Sequence, residues 1–519
     1  MFTMRPLQGA YTFILSPYLT IGALQALGSR RHAPTVAAVM DRCLGLCRGA
    51  ACAPDAAFTA TASSGSSSSA EPQQQPQRQR EQPPLKAEAP LALAAVGFLK
   101  GPLAALSQLP PEQRAQLAAD VTALLRAQVH MGAAAGDGRG CSSRSSSSSR
   151  GSSDSAASAA AGVADCLELM RALLQQDAAA VAAAVASSTG GAATSAAACS
   201  AALGAGCLPV MCAVLRASSS LANPQEQAAA GDVGGAVVGG MLTLVQDLVL
   251  WCLINIATIS GSVTTSCSAQ PAQQGSPQAQ MLSAGGTALL VPLLRAPAAA
   301  KRVLQLLMWL AAADGPEAQQ QMTAALAEAC ARCPEIQRQL VGAAGSCVTE
   351  LQQSCPRPVA SSQQLQLLLE SVAAVVQGQP SVAAGLLLPD WGGLPLVRAA
   401  LRCLGVGGGG GASRATVPDS SSRSSSCSGP STTPLVTAAL RLLRQLLLRC
   451  GPPPHSSLPT TYGELVRALV RLNGLDDVDN SLRLGCLHAC LVHGSGSSPS
   501  GRLPLRREAA LSLHAALGE

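Results

Sequence analysis

The chain has 519 residues, 48% hydrophobic but only 2% aromatic, and carries a formal net charge of +6 with 12% charged residues. Ala and Leu, both strong helix formers, dominate the apolar set, and alternating strand patterns are nearly absent, which predicts an all-α fold. The basic residues are scattered and few aromatics are available for base stacking, so the composition disfavours nucleic acid as a partner.

Residues 1–60 are predicted to form an N-terminal helical or targeting segment. No acidic residue precedes Asp41, and the uncharged stretch Pro6–Ser29 lies between Arg5 and Arg30. Such N-termini are typical of organelle transit peptides, and the same stretch also fits an ordinary first helix or an anchor. Because Pro17 and several polar residues interrupt it, no stable membrane span is expected. A mitochondrial or chloroplast location is therefore an alternative to the cytoplasm.

Low-complexity segments rich in Ser, Gly, Gln or Ala separate blocks of helical pattern. These segments cannot bury enough apolar surface to repay the entropy of ordering, so they are predicted to be disordered linkers. The predicted organisation after the first segment is a linker at 61–90, a helical pair at 91–131, a linker at 132–162, armadillo-like repeats at 163–404, a linker at 405–432 and C-terminal helical repeats at 433–519.

One unit recurs: a Gly, a short Leu-rich helix, a loop and a longer amphipathic helix. The three copies pair Gly204–Leu215 with Val245–Ile259, Gly285–Leu294 with Lys301–Ala313, and Gly392–Leu401 with Pro434–Leu448. Other helices are predicted within Leu91–His130 (split at Pro110-Pro111), Ala164–Ala186 (a pair), Gln364–Val376, Pro380–Leu388, Glu464–Leu472, Ser481–His493 and Arg506–Leu517. A unit made of one short and one longer helix cannot bury its own apolar face and needs stacked neighbours.

The helix predicted at Val245–Ile259 carries two distinct faces. Residues at i, i+3, i+4 and i+7 spacing form a stripe that is expected to be buried: Val245, Leu248, Val249, Cys252, Leu253, Ile256 and Ile259. Asp247, Trp251 and Asn255 recur every fourth residue and form a separate ridge. A bulky indole and an amide placed off the buried stripe indicate a surface that touches a partner.

The phrase Gly-x-Leu-Pro followed by Val-Gln-x4-Trp-x-Leu-x-Asn-Ile-Ala resembles the armadillo repeat. The resemblance covers about Val163–Leu448, continues more weakly to Leu517, and implies a right-handed α-solenoid. The glycines that start the units, Gly206, Gly286 and Gly393, are spaced at about twice the period of the family. Insertions or degenerate units are therefore expected between them.

Trp251 and Asn255 are similar to the pair that nuclear-import adaptors of this family use, in which Asn holds the backbone of an extended peptide and Trp walls a pocket for a Lys or Arg stem. Asp247 would add charge complementarity. In the next unit, Gln305 and Trp309 take the Trp and Asn positions, so the pattern is not continued. The alternative interpretation is packing plus a hydrogen bond between repeats.

The resemblance implies a non-catalytic scaffold that binds a partner protein or an extended peptide along the inner face of the solenoid. Two alternatives stay open. Leu368–Leu388, Gly392–Leu401 and Thr433–Gly451 together resemble the armadillo-type nucleotide exchange factors of seventy-kilodalton heat-shock chaperones. An organelle RNA-binding helical-repeat protein is the third class, and cleavage of the N-terminus would favour it. The partner's identity and the oligomeric state are not predicted.

The cysteine motifs have ordinary structural interpretations. Cys486, Cys490 and His493 share a helical face, but structural zinc usually needs four ligands, and the same residues fit a buried stripe. Cys330 and Cys333 form a CxxC motif without the βαβ context of a redox fold. The 19 cysteines do not show the regular close spacing of a disulfide framework. This favours a reducing compartment, and the cytoplasm is the first prediction.

No catalytic motif stands out in the chain. The glycine run that begins at Gly405 matches a dinucleotide-binding fingerprint only by composition, and no strand precedes it. A Walker A sequence, a Gly-x-Ser-x-Gly elbow and a His-Glu-x-x-His motif are all absent from the sequence. The protein is therefore predicted not to be an enzyme and to hold no cofactor and no metal.

Overall fold

A computed structural model describes residues 109–137, 150–187, 195–221, 233–266, 276–312, 316–353, 358–404, 433–450, 462–472 and 480–493. Within these ranges the regular secondary structure consists of α-helices and two short 3₁₀ helices, with no strand. The predicted all-α class is thereby confirmed. The chain divides into two compact units, Met1–Ala284 and Gly285–Glu519.

The described part of the first unit contains six helices: α1 Pro111–Asp137, α2 Arg150–Ala186, α3 Ala197–Gly204, α4 Cys207–Leu221, α5 Val233–Ser266 and α6 Pro277–Ser283. Helix α2 packs along α5, while α1 packs against α2, α3 and α4. Helix α4 also contacts α5 and α6. The core of this unit therefore lies between α1, α2, α4 and α5, and α5 has neighbours on more than one side.

The described part of the second unit contains α7 Gly286–Leu290, the 3₁₀ helix η1 Val291–Arg295, α8 Pro297–Ala311, α9 Pro316–Arg332, α10 Pro334–Gln353, α11 Pro358–Gly378, α12 Pro380–Leu387, the 3₁₀ helix η2 Pro389–Trp391, α13 Leu394–Cys403, α14 Thr433–Cys450, α15 Tyr462–Arg471 and α16 Asn480–His493. One row of contacts runs from α9 to α11, α14 and α16, and another from α8 to α10 and α13. Helices that pack on partners two or three elements away are what a repeat stack requires. The solenoid and its handedness stay predictions.

Helices α1 and α2 extend further than the sequence pattern predicts. Helix α1 continues to Asp137 and α2 begins at Arg150, so both enter the segment 132–162 that is predicted to be a disordered linker. The expected pair within Ala164–Ala186 is one uninterrupted helix. The Ala-rich sequence at 156–161 favours the extension of α2 towards its N-terminus, and no Pro interrupts the helix.

Two helices that the sequence pattern did not reveal, α9 and α10, lie between the second and third glycine starts. Helix α9 buries only a thin stripe, Ala318, Met322, Leu326 and Cys330, and the rest of it is rich in Gln, Ala and charged residues. The wide spacing of the glycine starts is thus filled by further helices, of which α9 has only weak apolar periodicity.

Each of the three recurring units has a glycine in the left-handed backbone region shortly before its first helix. Gly206, Gly285 and Gly392 have φ values of 76°, 78° and 72°. A side chain is strained in this conformation, so Gly is the residue that allows the chain to turn into the short helix that follows. The recurrence of glycine in the sequence therefore has a structural cause.

Several predictions lie outside the described residues. They are the N-terminal segment 1–60, the linkers 61–90 and 405–432, the first helix of the pair at 91–131 and the helix at Arg506–Leu517. Among the described residues, the Gly239–Val263 part of α5 is long and apolar enough to cross a membrane, although half of its most apolar window is buried in the fold. Helices α3 and α4 meet the same test together, but they are bent by 71°.

Candidate functional site

The buried face of α5 is the one that the periodicity predicts. All seven stripe residues are buried, none of them more than 3% exposed. Leu250 is also buried, although it lies off the stripe. Because α5 contacts both α2 and α4, its buried face is wider than a single helix–helix seam.

The structure places the predicted ridge residues along the edge of this buried face. Trp251 is 41% exposed, while Asp247 and Asn255 are half-buried. Leu244 is 42% exposed and lies seven residues before Trp251, hence on the same side of the helix. The ridge therefore presents an indole and an isobutyl group to solvent, with a carboxylate and an amide beside them.

The amide of Asn255 is turned towards its own helix. Its Nδ2 donates a hydrogen bond to the backbone carbonyl of Trp251 at 2.9 Å. This bond fixes the side chain one turn below the indole and uses one amide hydrogen. The Oδ1 acceptor and the second N–H remain for a further contact. Asn255 and Trp251 therefore lie next to each other on α5, and part of the hydrogen-bonding capacity of the Asn255 amide is used within the helix.

The equivalent positions on α8 have a different role. Gln305 Nε2 donates to Glu350 Oε2 at 3.3 Å, and Lys301 forms an ion pair with the same carboxylate. Trp309 is half-buried and its indole nitrogen is enclosed. These residues join α8 to α10 instead of forming a second rung, so the exposed indole of α5 has no matching copy on α8.

A buried carboxylate that sequence reasoning missed lies in the same unit as α5. Asp177 of α2 is fully buried and accepts a hydrogen bond from Arg114 Nη1 of α1 at 3.1 Å. Its other oxygen accepts the backbone N–H of Cys199, in the first turn of α3, at 2.9 Å. Burial raises the pKa of this carboxyl above its ordinary value, and the bond to Cys199 and the charge of Arg114 act in the opposite direction. The group is a junction between three helices.

The two cysteine motifs differ sharply in environment. Cys486 and Cys490 are fully buried, and the Cys486 thiol lies 3.5 Å from the Leu440 carbonyl of α14. Burial raises the pKa of Cys486 to about 12. The side chain of His493 lies outside the described residues. In the described ranges no three His, Cys, Asp or Glu side chains gather in a way that could hold a metal ion.

Cys333 is the exception among the described thiols. The backbone N–H groups of Ile336 and Glu335 at the start of α10, together with the Arg295 guanidinium, hold the pKa of Cys333 below its ordinary value. The Ile336 N–H itself donates to the Cys333 carbonyl oxygen at 3.1 Å. Its neighbour Cys330 is fully buried, and that burial raises the pKa of Cys330 to about 12.

The chain matches no protein-family model, no curated protein and no solved structure. The resemblance to armadillo repeats therefore stays a prediction from the residues. In the part of the chain that the structure describes, the fold is all-helical, an exposed indole on α5 is flanked by a carboxylate and an amide, and a partly exposed thiol, Cys333, lies immediately before α10.

Proposed function

We propose that this protein is a non-catalytic scaffold, an armadillo-like right-handed solenoid, that binds a partner protein through the ridge of Asp247, Trp251 and Asn255. The observation that carries the proposal is the 41% exposure of Trp251 on a helix whose other side is buried. Trp is the residue type most enriched among the energetic hot spots of protein interfaces. The whole chain has only three Trp residues. Because an exposed indole contributes little to packing, its position at the surface favours a role in binding.

The chemistry of the ridge favours an extended segment with a Lys or Arg side chain. An indole face attracts a cation and packs against the aliphatic part of its stem. Asn255 Oδ1 can accept a main-chain N–H from the partner while Nδ2 keeps its bond to Trp251. Asp247 adds a negative charge on the same side of the helix.

The test starts with a photo-crosslinking amino acid at Thr258, an exposed position two turns after Trp251. The matched control carries it at Leu448, which is 43% exposed on α14. A partner captured from Thr258 but not from Leu448 is then purified, and its Kd is measured against full-length variants. Trp251→Ala is expected to weaken binding roughly 30-fold, the size of a hot-spot loss of about 2 kcal/mol.

Asn255→Ala is expected to weaken binding several-fold, and Leu448→Ala is expected to leave the Kd unchanged. Far-UV circular dichroism and thermal unfolding confirm that each variant is folded. If the folded Trp251→Ala protein binds the captured partner as tightly as wild type does, the ridge is a packing feature and the proposal is wrong. A captured heat-shock chaperone whose nucleotide release is accelerated, or captured RNA, would instead favour the corresponding alternative.

A further inference from the structure

Helix α16 places a guanidinium where its pattern predicts an apolar side chain. Arg483, Cys486, Leu487 and Cys490 follow the i, i+3, i+4, i+7 spacing of one helical stripe. All four are fully buried, and Arg483 is the largest fully buried side chain in the described part of the protein. A guanidinium stays protonated in proteins. The buried face of α16 therefore carries a positive charge.

The guanidinium of Arg483 has no hydrogen-bond partner. Its Nε, Nη1 and Nη2 atoms are all enclosed, and none of them makes a hydrogen bond. Arg114 is the contrasting case, since it is 12% exposed and pairs with Asp177. Helices α14 and α16 contain no Asp or Glu. The acidic side chains of α15 and of the segment before α16, Glu464 and the three Asp residues at 476–479, lie outside the described residues.

A second guanidinium crosses the surface on which α16 packs. Helix α16 packs mainly on α14 and also contacts α15. Arg444 of α14 lies against Gly485, where an added Cβ would be 2.7 Å from the Arg444 Nε. That Nε is also enclosed without a hydrogen-bond partner. The contact between α14 and α16 thus combines an apolar stripe with two arginines that lack acceptors for buried N–H groups.

The cost of burying Arg483 weakens the docking of α16. Removing an ion from water without a counter-charge is strongly unfavourable, and the apolar contacts of the stripe must offset it. When α16 detaches, the guanidinium regains water and this cost disappears. Local opening free energies within one protein range from near zero to that of global unfolding. Helix α16 is therefore expected to open more readily than a helix whose buried stripe is wholly apolar.

We propose that α16 is a releasable helix, which detaches from α14 while the rest of the second unit stays folded, and that the unpaired Arg483 sets how often this occurs. Detachment uncovers the part of α14 around Leu440 and Arg444, which Cys486 and Gly485 contact in the closed form. It also brings Arg483 into solvent, where a carboxylate or a phosphate group can pair with it. The open form of α16 thus exposes more apolar and more basic surface than the closed form.

The buried thiols of the protein report this opening. Cys486 and Cys490 lie on the stripe of α16, and Cys347 of α10 is the matched control, because it is only 2% exposed and burial raises the pKa of both Cys347 and Cys486 to about 12. The full-length, reduced protein is alkylated with iodoacetamide at neutral pH, and peptide mass spectrometry gives the rate at each cysteine. Cys486 and Cys490 are expected to react at least roughly tenfold faster than Cys347, because a buried thiol reacts when its helix opens.

Two arginine variants test the part played by the charge. Arg483→Met keeps a long side chain on the stripe and removes the charge. It is expected to slow the alkylation of Cys486 and Cys490 roughly 10- to 100-fold, since replacing buried ions by apolar residues often stabilises a fold by an amount of this size. The rate at Cys347 is expected to stay unchanged. Arg398→Met, at an exposed position on α13, is the control variant and is expected to change none of the three rates.

Three results would overturn the proposal. The first is equal alkylation rates at Cys486 and Cys347 in the wild-type protein. The second is an Arg483→Met protein in which Cys486 and Cys490 react as fast as in wild type or faster, which would mean that the guanidinium is not an uncompensated buried charge. The third is failure of both Arg483→Met and Arg483→Leu to fold, since both are expected to gain stability. These readouts concern α16, so they stand apart from the test of partner binding at the α5 ridge.

Discussion

At the scale of single residues, Asp177 shows how one buried carboxylate can organise three helices. Its two oxygens are used in different ways: one takes the charged hydrogen bond from Arg114 and the other caps the first turn of α3. The two paired residues are 63 positions apart in the chain. Periodicity reports which face of a helix is buried, but it holds no signal for a pair formed between distant helices, and so Asp177 could not be found from the sequence.

Asp177→Ala is expected to lower the free energy of unfolding by about 3–5 kcal/mol, because Arg114, only 12% exposed, would then be buried without its partner. Asp177→Asn keeps an acceptor for the Cys199 N–H and is expected to lose less. The matched control is Glu328→Ala, which removes an i, i+4 ion pair with Arg332 whose two side chains are 62% and 75% exposed. That pair is expected to contribute less than about 0.5 kcal/mol. Urea unfolding followed by circular dichroism measures all three, and equal losses for Asp177→Ala and Glu328→Ala would contradict the role assigned to Asp177.

At the scale of elements, the agreement between sequence and structure depends on how strongly each helix is patterned. Helix α5 was predictable because its seven stripe residues keep helical spacing, and all are buried. Its extra buried residue, Leu250, reflects packing against two helices, which one helix's sequence cannot report. Helix α9 was not predicted because its buried stripe consists of only four residues, and the residues between them are mostly polar or Ala. The spacing of Asp247, Trp251 and Asn255 predicted that they lie on one face of α5. It could not predict that the Asn255 amide donates to the Trp251 carbonyl, because that bond depends on the side-chain conformation.

The contact between α10 and the turn before α13 leaves no room for a side chain. A Cβ placed on Gly345 would lie 1.9 Å from the backbone oxygen of Gly392, and backbone atoms cannot rotate away as a flexible side chain can. Gly345→Ala is therefore expected to destabilise the protein by more than about 2 kcal/mol, as overpacking against a rigid neighbour does. The control is Gly378→Ala at the end of α11, where a Cβ would meet nothing within 4 Å.

Thermal unfolding of the two variants provides the measurement. Gly378→Ala is expected to be neutral or slightly stabilising, because Ala loses less conformational entropy than Gly on folding. Gly345→Ala is expected to melt several degrees below wild type. Identical melting temperatures would mean that α10 and the Gly392 turn do not approach as closely as described.

At the scale of the whole molecule, buried thiols give the fold an unusual dependence on pH. Burial raises the pKa of five thiols from 9.0 to about 12, namely Cys207, Cys252, Cys330, Cys347 and Cys486. These groups stay protonated in the folded state while the same groups in the unfolded chain ionise near pH 9. Folded pKa values above unfolded ones mean that the stability is fully present below about pH 9 and is lost as the pH rises towards 12.

Each such thiol is expected to remove about 1.4 kcal/mol of stability per pH unit within that window, so five together exceed the usual 5–15 kcal/mol of a folded domain within about two to three units. Urea unfolding at pH 7, 8.5, 9.5 and 10.5, with a phosphine reductant present, should show a plateau followed by a steep fall. Other residue types that titrate there are scarce, since the chain has only three Tyr and the three lysines Lys86, Lys100 and Lys301. Burial also raises the pKa of the Cys199, Cys212, Cys403 and Cys450 thiols, which add to the fall. Cys252→Ala is expected to make the fall shallower by one thiol's share, whatever it does to stability at pH 7. A stability that stays level from pH 8.5 to 10.5 would show that these thiols are not buried as a set.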